Sequence, residues 1–213
     1  MKSLYLIRHG HTVDNENYRY SGFSDCDLSE VGRKQVEGLT DYIKDIDVDR
    51  VYASTLKRTA QTIDDYAKIK NQEIVKLDGL KEMNFGIFDG YSLEEIKKKF
   101  PKESSEMLRS DFLYRFPEGE NIEDFYIRNI KALNDIMKES KDMDNIMICA
   151  HMGTIRNLLS HLLVGSYKLH WNFNVHNATV TKIEFFNEFP ALTGMGYIPY
   201  DRSLIRTYPK KEK

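Results

Sequence analysis

The chain has 213 residues, of which 41% are hydrophobic and 30% charged, and this balance suits a globular protein with a sizeable core. The formal net charge is only −2, which does not favour a general binder of nucleic acids or anionic membranes. No apolar run approaches the roughly 20 residues that span a bilayer, and no secretory signal is expected. The two cysteines, Cys26 and Cys149, are far apart, so we expect reduced thiols in a cytoplasmic protein.

The first third of the chain alternates between strand and helix patterns. Short apolar runs predict strands, and apolar residues at helical spacing predict the helices between them. Ser29 is suited to cap the first of these helices. In chain order, we expect a strand over residues 3–8, a helix over 29–46, a strand over 50–53, a helix over about 56–67 and a strand over 73–77.

The middle of the chain breaks this alternation. Residues 80–91 contain several glycines and are expected to form an ordered loop, and Ser92 opens a short helix that Pro101 ends. We interpret residues 80–120 as a small helical insertion over one edge of the sheet. Beyond it, we expect a long helix capped by Asn121, a strand over 145–150, a helix over 153–164, a strand over 179–186 and a last edge strand over 204–208.

This order of elements predicts an α/β protein. Alternating strands and helices favour a three-layer α/β/α sandwich, with a mostly parallel sheet and helices on both faces. No repeat, low-complexity tract or linker divides the sequence. We therefore expect one domain over residues 1–213, with the insertion at about 80–120 as a partial lid.

Three polar clusters directly follow predicted strands. The first is Arg8-His9-Gly10, the second lies in residues 54–58, and the third is His151-Met152-Gly153. Ligands of open α/β sheets bind beyond the carboxyl ends of the strands. The three clusters are therefore expected to meet at one edge of the sheet.

The side chains of these clusters suit phosphoryl transfer. Arg8 and Arg58 offer planar, bidentate donors that match phosphate oxygens. The imidazole of His9 can act as a nucleophile that carries a phosphoryl group. His151 can donate to the phosphoryl oxygens, and the backbone N–H groups of Met152 and Gly153, at a helix start, can add an anion site.

Transfer from an ester also needs an acid that protonates the departing oxygen, a contribution of about 10² to 10⁴ in rate. Glu82, in the glycine-rich loop, is the best candidate for this group. As a proton donor it would have to stay protonated near neutral pH. We therefore expect it to be partly buried beside the phosphate pocket.

Four spaced motifs together resemble the histidine phosphatase superfamily, in the branch of the phosphoglycerate mutase-like enzymes. One of the motifs alone would be weak, but all four occur in the order typical of the family. The segment from Gly22 to Gly32 is similar to a further signature. The four motifs are Arg8 to Asn15 (RHGHTVDN), Ser54 to Thr62 (STLKRTAQT), Leu80 to Gly86 (LKEMNFG) and Ala150 to Gly153 (AHMG).

The resemblance implies a role for each matching residue. His9 would be the phosphorylated nucleophile, and Glu82 would be the proton donor and then the base for the attacking water. The catalytic set would be His9, Glu82, Arg8, Arg58 and His151. The residues in contact with substrate would be Arg8, Asn15, Ser21, Gly22, Arg58, Glu82 and Met152.

The family includes both mutases and phosphatases. Its mutases tend to carry Glu-Arg-His-Tyr-Gly around the acid, whereas this chain has Glu82-Met83-Asn84-Phe85-Gly86. Because the groups expected to hold a phosphoglycerate are missing, we favour a phosphatase over a cofactor-dependent phosphoglycerate mutase. The position after Gly10, often Glu or Gln in the family, is His11. The size and pattern are similar to small phosphatases acting on sugar phosphates, phosphoserine or α-ribazole phosphate.

Two other interpretations remain open at this point. His9 and His11, with His151 and Asp14, could be ligands of a metal ion, although fixed positive charge on Arg8 and Arg58 disfavours this. A non-catalytic phospholigand-binding protein would keep the fold, but such proteins usually lose the nucleophile or the acid. We therefore predict a metal-independent phosphatase with no cofactor, acting on a small phosphorylated metabolite. The sequence leaves both a monomer and a homodimer open.

Overall fold

The computed structural model describes residues 1–110 and 113–206 and contains one six-stranded sheet. Its strands are β1 (Ser3–Arg8), β2 (Arg50–Ser54), β3 (Ile74–Leu77), β4 (Asn145–Ala150), β5 (Val180–Phe186) and β6 (Phe189–Tyr197). The strands lie in the order β3-β2-β4-β1-β5-β6. The first four run parallel to one another, while β5 is antiparallel to β1 and β6 is antiparallel to β5.

The helices connect these strands, and several begin where the sequence predicted. The α-helices of the described residues are α1 (Val13–Glu16), α2 (Glu30–Ile43), α3 (Lys57–Ile69), α4 (Leu93–Lys99), α5 (Pro101–Arg109), α6 (Ile122–Glu139) and α7 (Met152–Val164). The side chains of Ser29, Ser92 and Asn121 accept backbone N–H groups at the starts of α2, α4 and α6. Each such cap stabilises its helix by about 1 kcal/mol, which explains why these residues mark the boundaries.

Helices cover both faces of the sheet, so the predicted three-layer α/β/α fold is confirmed. Successive side chains of a strand point to opposite faces. In β1, Leu4 and Leu6 belong to the core beneath α6 and α7, whereas Ile7 belongs to the core beneath α2 and α3. Ile148 and Cys149 of β4 divide between the two cores in the same way. Both central strands are therefore buried on both sides, as their apolar sequences require.

The structure corrects the sequence interpretation at three places. Of the residues predicted as a last edge strand, 204–208, Leu204 ends a short 3₁₀ helix at Arg202–Leu204, 205–206 lie in no strand, and 207–208 lie outside the described residues. The edge strand is instead β6, which pairs with β5 as a hairpin. Its sequence lacks a continuous apolar run because most of its side chains are at least partly exposed. The short α1 and the helix α5 were also missed. In the case of α5, Pro101 follows the end of α4 and also occupies the first turn of the next helix.

The segment interpreted as an insertion contains α4 and α5, linked by Phe100. Its aromatic side chains pack mainly against one another. Phe116 contacts the rings of Tyr20, Phe85 and Phe88 in edge-to-face or tilted arrangements. The single-domain interpretation of residues 1–213 stays a prediction. In the part of the chain that the structure describes, no helix is long and apolar enough to cross a membrane.

Candidate active site

The ends of β1 and β4 place His9 and His151 side by side. The two strands are parallel and in a register that pairs Arg8 with Ala150, so the next residue of each strand lies at the same level. The His9 N–H donates to the Ala150 carbonyl at 3.0 Å, which extends the pairing by one step. The two imidazole rings are 5.1 Å apart between centroids and inclined at 58°.

The ring of His9 is held in the form that a nucleophile needs. Its Nδ1 lies 2.7 Å from the Gly10 carbonyl oxygen, which can only accept, so the Nδ1 position carries the proton and Nε2 keeps its lone pair. Burial, and then the guanidiniums of Arg58 and Arg8, hold the pKa of His9 well below its usual range. The imidazole is therefore neutral at pH 7.

Arg58 fixes the opposite tautomer on His151. The Arg58 Nε–H donates to His151 Nδ1 at 3.2 Å, so the proton of the neutral ring must lie on Nε2. Burial and the charge of Arg58 hold the pKa of His151 well below its usual range. His151 Nε2 is buried and has no hydrogen-bond partner within the described residues. This arrangement leaves an N–H donor at the end of β4 for an anionic ligand.

The guanidinium of Arg58 is itself positioned by a loop over residues 21–24. Arg58 is only 1% exposed, and it donates to the carbonyls of Ser21, Gly22 and Ser24 at 3.2, 2.8 and 2.8 Å. The N–H groups of the same loop, at residues 22, 23 and 24, converge on the carboxylate of Asp89. Asp89 thus turns the loop carbonyls towards Arg58, a role that the sequence did not reveal.

Arg8 and Asn15, both predicted to bind the phosphoryl group, are held in place by partners of their own. Arg8 is buried and donates through Nη1 to the Val175 carbonyl at 2.5 Å, with Met152 Sδ at 3.6 Å. Asn15 belongs to the cap of α1, and its Oδ1 accepts from Asn177 Nδ2 at 3.2 Å. Asn177 Nδ2 also donates to the His9 carbonyl at 3.1 Å, so this unpredicted residue links His9 to Asn15.

Glu82 is partly buried, as expected for a candidate acid, and its carboxylate lies at the start of α7. One oxygen accepts from the Gly153 N–H at 3.0 Å, and the other accepts from the Met83 N–H at 3.0 Å. The Gly153 N–H therefore donates to the Glu82 carboxylate. The prediction that this N–H contributes to an anion site for the phosphoryl group is wrong. The contact instead connects Glu82 directly to the segment that carries His151.

The loop that carries Glu82 is held by an ion pair that sequence reasoning missed. The Arg128 guanidinium donates to the carbonyls of Gly79, Lys81 and Glu82 at 2.9 to 3.2 Å, and to both carboxylate oxygens of Glu120 at 2.7 and 2.8 Å. Glu120 also accepts the N–H of Asn84. Arg128 lies on α6, distant in sequence from the loop, and no local pattern indicated this pairing.

Two cavities open beside these groups. A polar cavity of about 440 Å³ includes Arg8, Asn15 and Met152 in its lining. An apolar cavity of about 480 Å³ borders Glu82 and Met152. Ser21 and Gly22 line neither cavity; they reach the site through their carbonyls on Arg58. The roles assigned to all these residues from the sequence stay predictions, although their positions converge.

The residues considered for a metal site are held by other partners. His11 Nδ1 is 2.9 Å from Ser29 Oγ, and Asp14 accepts from Ser24 Oγ at 3.4 Å. Within residues 1–110 and 113–206, no group of three or more His, Cys, Asp or Glu side chains is placed to hold a metal ion.

The contact between Gly153 and Glu82 gives a test of where the Glu82 side chain must lie. A methyl group at Gly153 would overlap the Glu82 carboxylate and would crowd the buried Phe125 ring at 2.9 Å, so Gly153→Ala should displace the Glu82 side chain. We expect kcat for an alkyl phosphate to fall about tenfold or more, with a loss of thermal stability that reports the crowding of Phe125. Gly194→Ala is the control, because a methyl group there meets only Lys182 Cβ at 3.9 Å. Equal kcat in both variants would contradict the placement.

Comparison with known proteins identifies the family. The sequence model of the histidine phosphatase superfamily (branch 1) matches residues 4–197. Phosphoserine phosphatase 1 of Hydrogenobacter thermophilus is 30% identical over 183 residues, covering 86% of each chain. The structure of the α-ribazole phosphatase from Shigella flexneri shares the fold, with a TM-score of 0.86 at 24% identity over 92% of this chain and 96% of that one.

A second structure has higher identity. It is a phosphoserine phosphatase mutant from Entamoeba histolytica in complex with phosphoserine, with a TM-score of 0.73 at 28% identity over 92% of this chain and 97% of that one. These relatives confirm the predicted enzyme class, a phosphoric monoester hydrolase. The chain belongs to the histidine phosphatase superfamily, branch 1.

Proposed function

We propose that this protein hydrolyses a small phosphomonoester in two steps through a phosphohistidine on His9. The observation that carries the proposal is the complementary pair of tautomers at the ends of β1 and β4. His9 presents a lone pair on Nε2, whereas His151 presents a proton on Nε2. Arg8 and Arg58 supply positive charge beside both rings. A phosphoryl group between the rings would meet a nucleophile and a donor together.

In the first step, His9 Nε2 attacks phosphorus and the bond between phosphorus and the ester oxygen breaks. The proton of the Glu82 carboxyl passes to the departing oxygen, which leaves as an alcohol. Negative charge on the transferring phosphoryl oxygens is stabilised by the His151 N–H and the two guanidiniums. The His9 ring becomes positively charged on phosphorylation, and the Gly10 carbonyl stabilises it by accepting from Nδ1.

In the second step, a water molecule attacks the phosphohistidine from the side that the alcohol has left. The Glu82 carboxylate takes a proton from this water, which restores the acid, and His9 leaves as neutral imidazole with inorganic phosphate as the product. The contacts of Glu82 with Met83 and Gly153 position its carboxyl group at the start of α7, so that the same group is placed for both proton transfers. Neither step uses a metal ion or a cofactor.

The relatives support a small phosphorylated metabolite as the substrate. Phosphoserine is the ligand named for the similar structure from Entamoeba histolytica, and a phosphoserine phosphatase is also the named relative from Hydrogenobacter thermophilus. The loop after Glu82 lacks the basic residue expected in phosphoglycerate mutases. We therefore favour hydrolysis over transfer to a second acceptor.

The test is hydrolysis of p-nitrophenyl phosphate with excess EDTA present, followed by assays with phosphorylated metabolites. We expect release of inorganic phosphate that survives chelation. 3-Phosphoglycerate should be tested with and without 2,3-bisphosphoglycerate. Conversion to 2-phosphoglycerate without release of phosphate would identify a mutase, and loss of all activity on chelation would contradict the two-step route through His9.

A further inference from the structure

An apolar cavity of about 480 Å³ lies directly beside the candidate acid. It is enclosed by the loop after Glu82, by α5, by the start of α7 and by the 3₁₀ helix at Tyr167–Asn172. Leu108 and Trp171 are 55% and 61% exposed and lie on its open side. The cavity is thus accessible from solvent and ends at a catalytic group.

The walls of this cavity consist largely of aromatic rings and methionine side chains. Its lining includes Tyr20, Phe85, Met107, Phe116, Phe125 and Trp171. Phe85 and Phe116 meet edge to face with centroids 5.0 Å apart, and Tyr20 meets Phe85 in the same way at 5.2 Å. These ring contacts fix the wall that faces Glu82. The surface offered to a ligand is therefore mainly carbon and is already ordered.

The position of Glu82 determines which part of a substrate enters this cavity. An acid that protonates the departing oxygen must lie next to that oxygen, and the rest of the leaving group is attached to the same atom. Arg8 and Asn15, the predicted phosphoryl ligands, lie instead on the polar cavity across Met152. The phosphoryl group and the leaving group are therefore directed to opposite sides of Met152.

The charged groups available in this cavity are few. Among the described residues of its lining, they are Glu82 and Arg156. Arg156 donates through Nε to the Phe173 carbonyl at 2.7 Å and lies over the Trp171 ring, 5.6 Å from its centroid. Burial lowers the pKa of His170 to about 4, so that ring adds no charge at neutral pH. A carboxylate on the leaving group would lose its water against carbon walls.

Given the proposed function, on which this step rests, we infer that the substrate is a phosphomonoester of an uncharged, apolar alcohol or phenol. The leaving group occupies the apolar cavity, and its hydrocarbon part is removed from water by the aromatic walls. Each buried methylene group should raise kcat/KM by up to about fourfold. This sets the substrate class apart from phosphoserine and phosphoglycerates, whose leaving groups carry a carboxylate.

The test is a series of n-alkyl phosphates from ethyl to hexyl, compared with phosphoserine and 3-phosphoglycerate. The alcohols leave with nearly equal ease, so differences in kcat/KM report binding in the cavity. We expect kcat/KM to rise roughly 10- to 200-fold from ethyl to hexyl phosphate, and to exceed the values for both carboxylate esters. Leu108→Asp should reduce the hexyl-to-ethyl ratio at least threefold by placing charge at the mouth of the cavity.

Ile127→Asp is the matched control, because Ile127 is also helical and 65% exposed but does not line the cavity. It should preserve the hexyl-to-ethyl ratio. A flat series in a protein that turns over all the esters would overturn the inference and leave the proposed function intact. A higher kcat/KM with phosphoserine would also overturn it and would assign Arg156 to the carboxylate. No turnover of any ester would instead refute the proposed function.

Discussion

Replacing His9 with alanine should abolish phosphatase turnover, with a loss in kcat of roughly 10⁴- to 10⁶-fold. The reason is that Nε2 of His9 is the nucleophile that attacks the ester in the proposed route, and its lone pair depends on the Nδ1 contact with the Gly10 carbonyl. Water attacking the ester directly would lack that group, although the guanidiniums and His151 would remain. The measurement is phosphate release from p-nitrophenyl phosphate under saturating conditions.

The matched control for this substitution is His161→Ala. His161 is a partly buried histidine in the second half of α7, where its Nδ1 lies 2.7 Å from the Tyr126 hydroxyl oxygen. Its loss should leave kcat within a few-fold of the original value. Thermal unfolding of both variants shows whether the fold is retained. If a folded His9→Ala protein kept substantial activity, His9 could not be the nucleophile.

The second large effect is expected from Glu82→Gln. The amide cannot supply a proton, so kcat/KM for ethyl phosphate, which reports the step in which the alcohol departs, should fall about 10²- to 10⁴-fold. p-Nitrophenolate is a stable anion that departs without a proton, so kcat/KM for its ester should fall only a few-fold, while kcat also falls because the attacking water loses its base. The ratio of the two losses in kcat/KM therefore reports proton donation, and steady-state kinetics with both esters measure it.

Glu82→Gln also removes a hydrogen bond, and the ratio of the two losses separates this structural effect from the loss of proton donation. Both oxygens of Glu82 accept backbone N–H groups, and the amide nitrogen of glutamine cannot accept, so one of these bonds is lost at about 1 kcal/mol. A purely structural effect would lower kcat/KM for both esters by the same factor. That equal slowing would contradict the assignment of Glu82 as the acid. Glu94→Gln, at an exposed position of α4, is the control and should change neither rate.

Much of the candidate site could be predicted because its main residues lie next to strands that the sequence itself indicates. Arg8, His9 and His151 directly follow apolar strands, and parallel strands end at a common edge of the sheet. The register between β1 and β4 then places the two imidazoles together. Arg58 is the second residue of α3, the helix that follows β2, so its place at the same edge also follows from the order of elements.

The groups that hold this set in place could not be read from the sequence. Asp89, Arg128 and Asn177 act over long sequence separations, and each contacts backbone atoms, which leave no pattern in the residue types. The hydrogen bond from Gly153 to Glu82 was missed for the same reason. The edge strand β6 was hidden because Pro190, Gly194 and Gly196 weaken the strand signal and none of its side chains is buried.

The electrostatic state of the site also needed the structure. Two neutral imidazoles lie among guanidiniums because burial and those charges both lower their pKa values. The sequence predicted the residue types but not which nitrogen of each ring carries the proton. That assignment comes from the Gly10 carbonyl on one side and the Arg58 Nε–H on the other. From this assignment follow the two proposed roles: His9 attacks phosphorus, and His151 donates a hydrogen bond to the phosphoryl oxygens.

The central claim is a covalent phosphohistidine on His9, and trapping this intermediate tests it most directly. The protein is mixed with p-nitrophenyl phosphate, quenched within the first turnovers by alkaline denaturation, and examined by intact mass and peptide mapping. We expect the mass of one added phosphoryl group, located on the peptide that contains His9, stable in alkali and lost in acid. A phosphoryl group mapped to another residue, or turnover with no phosphorylated protein at any quench time, would contradict the account.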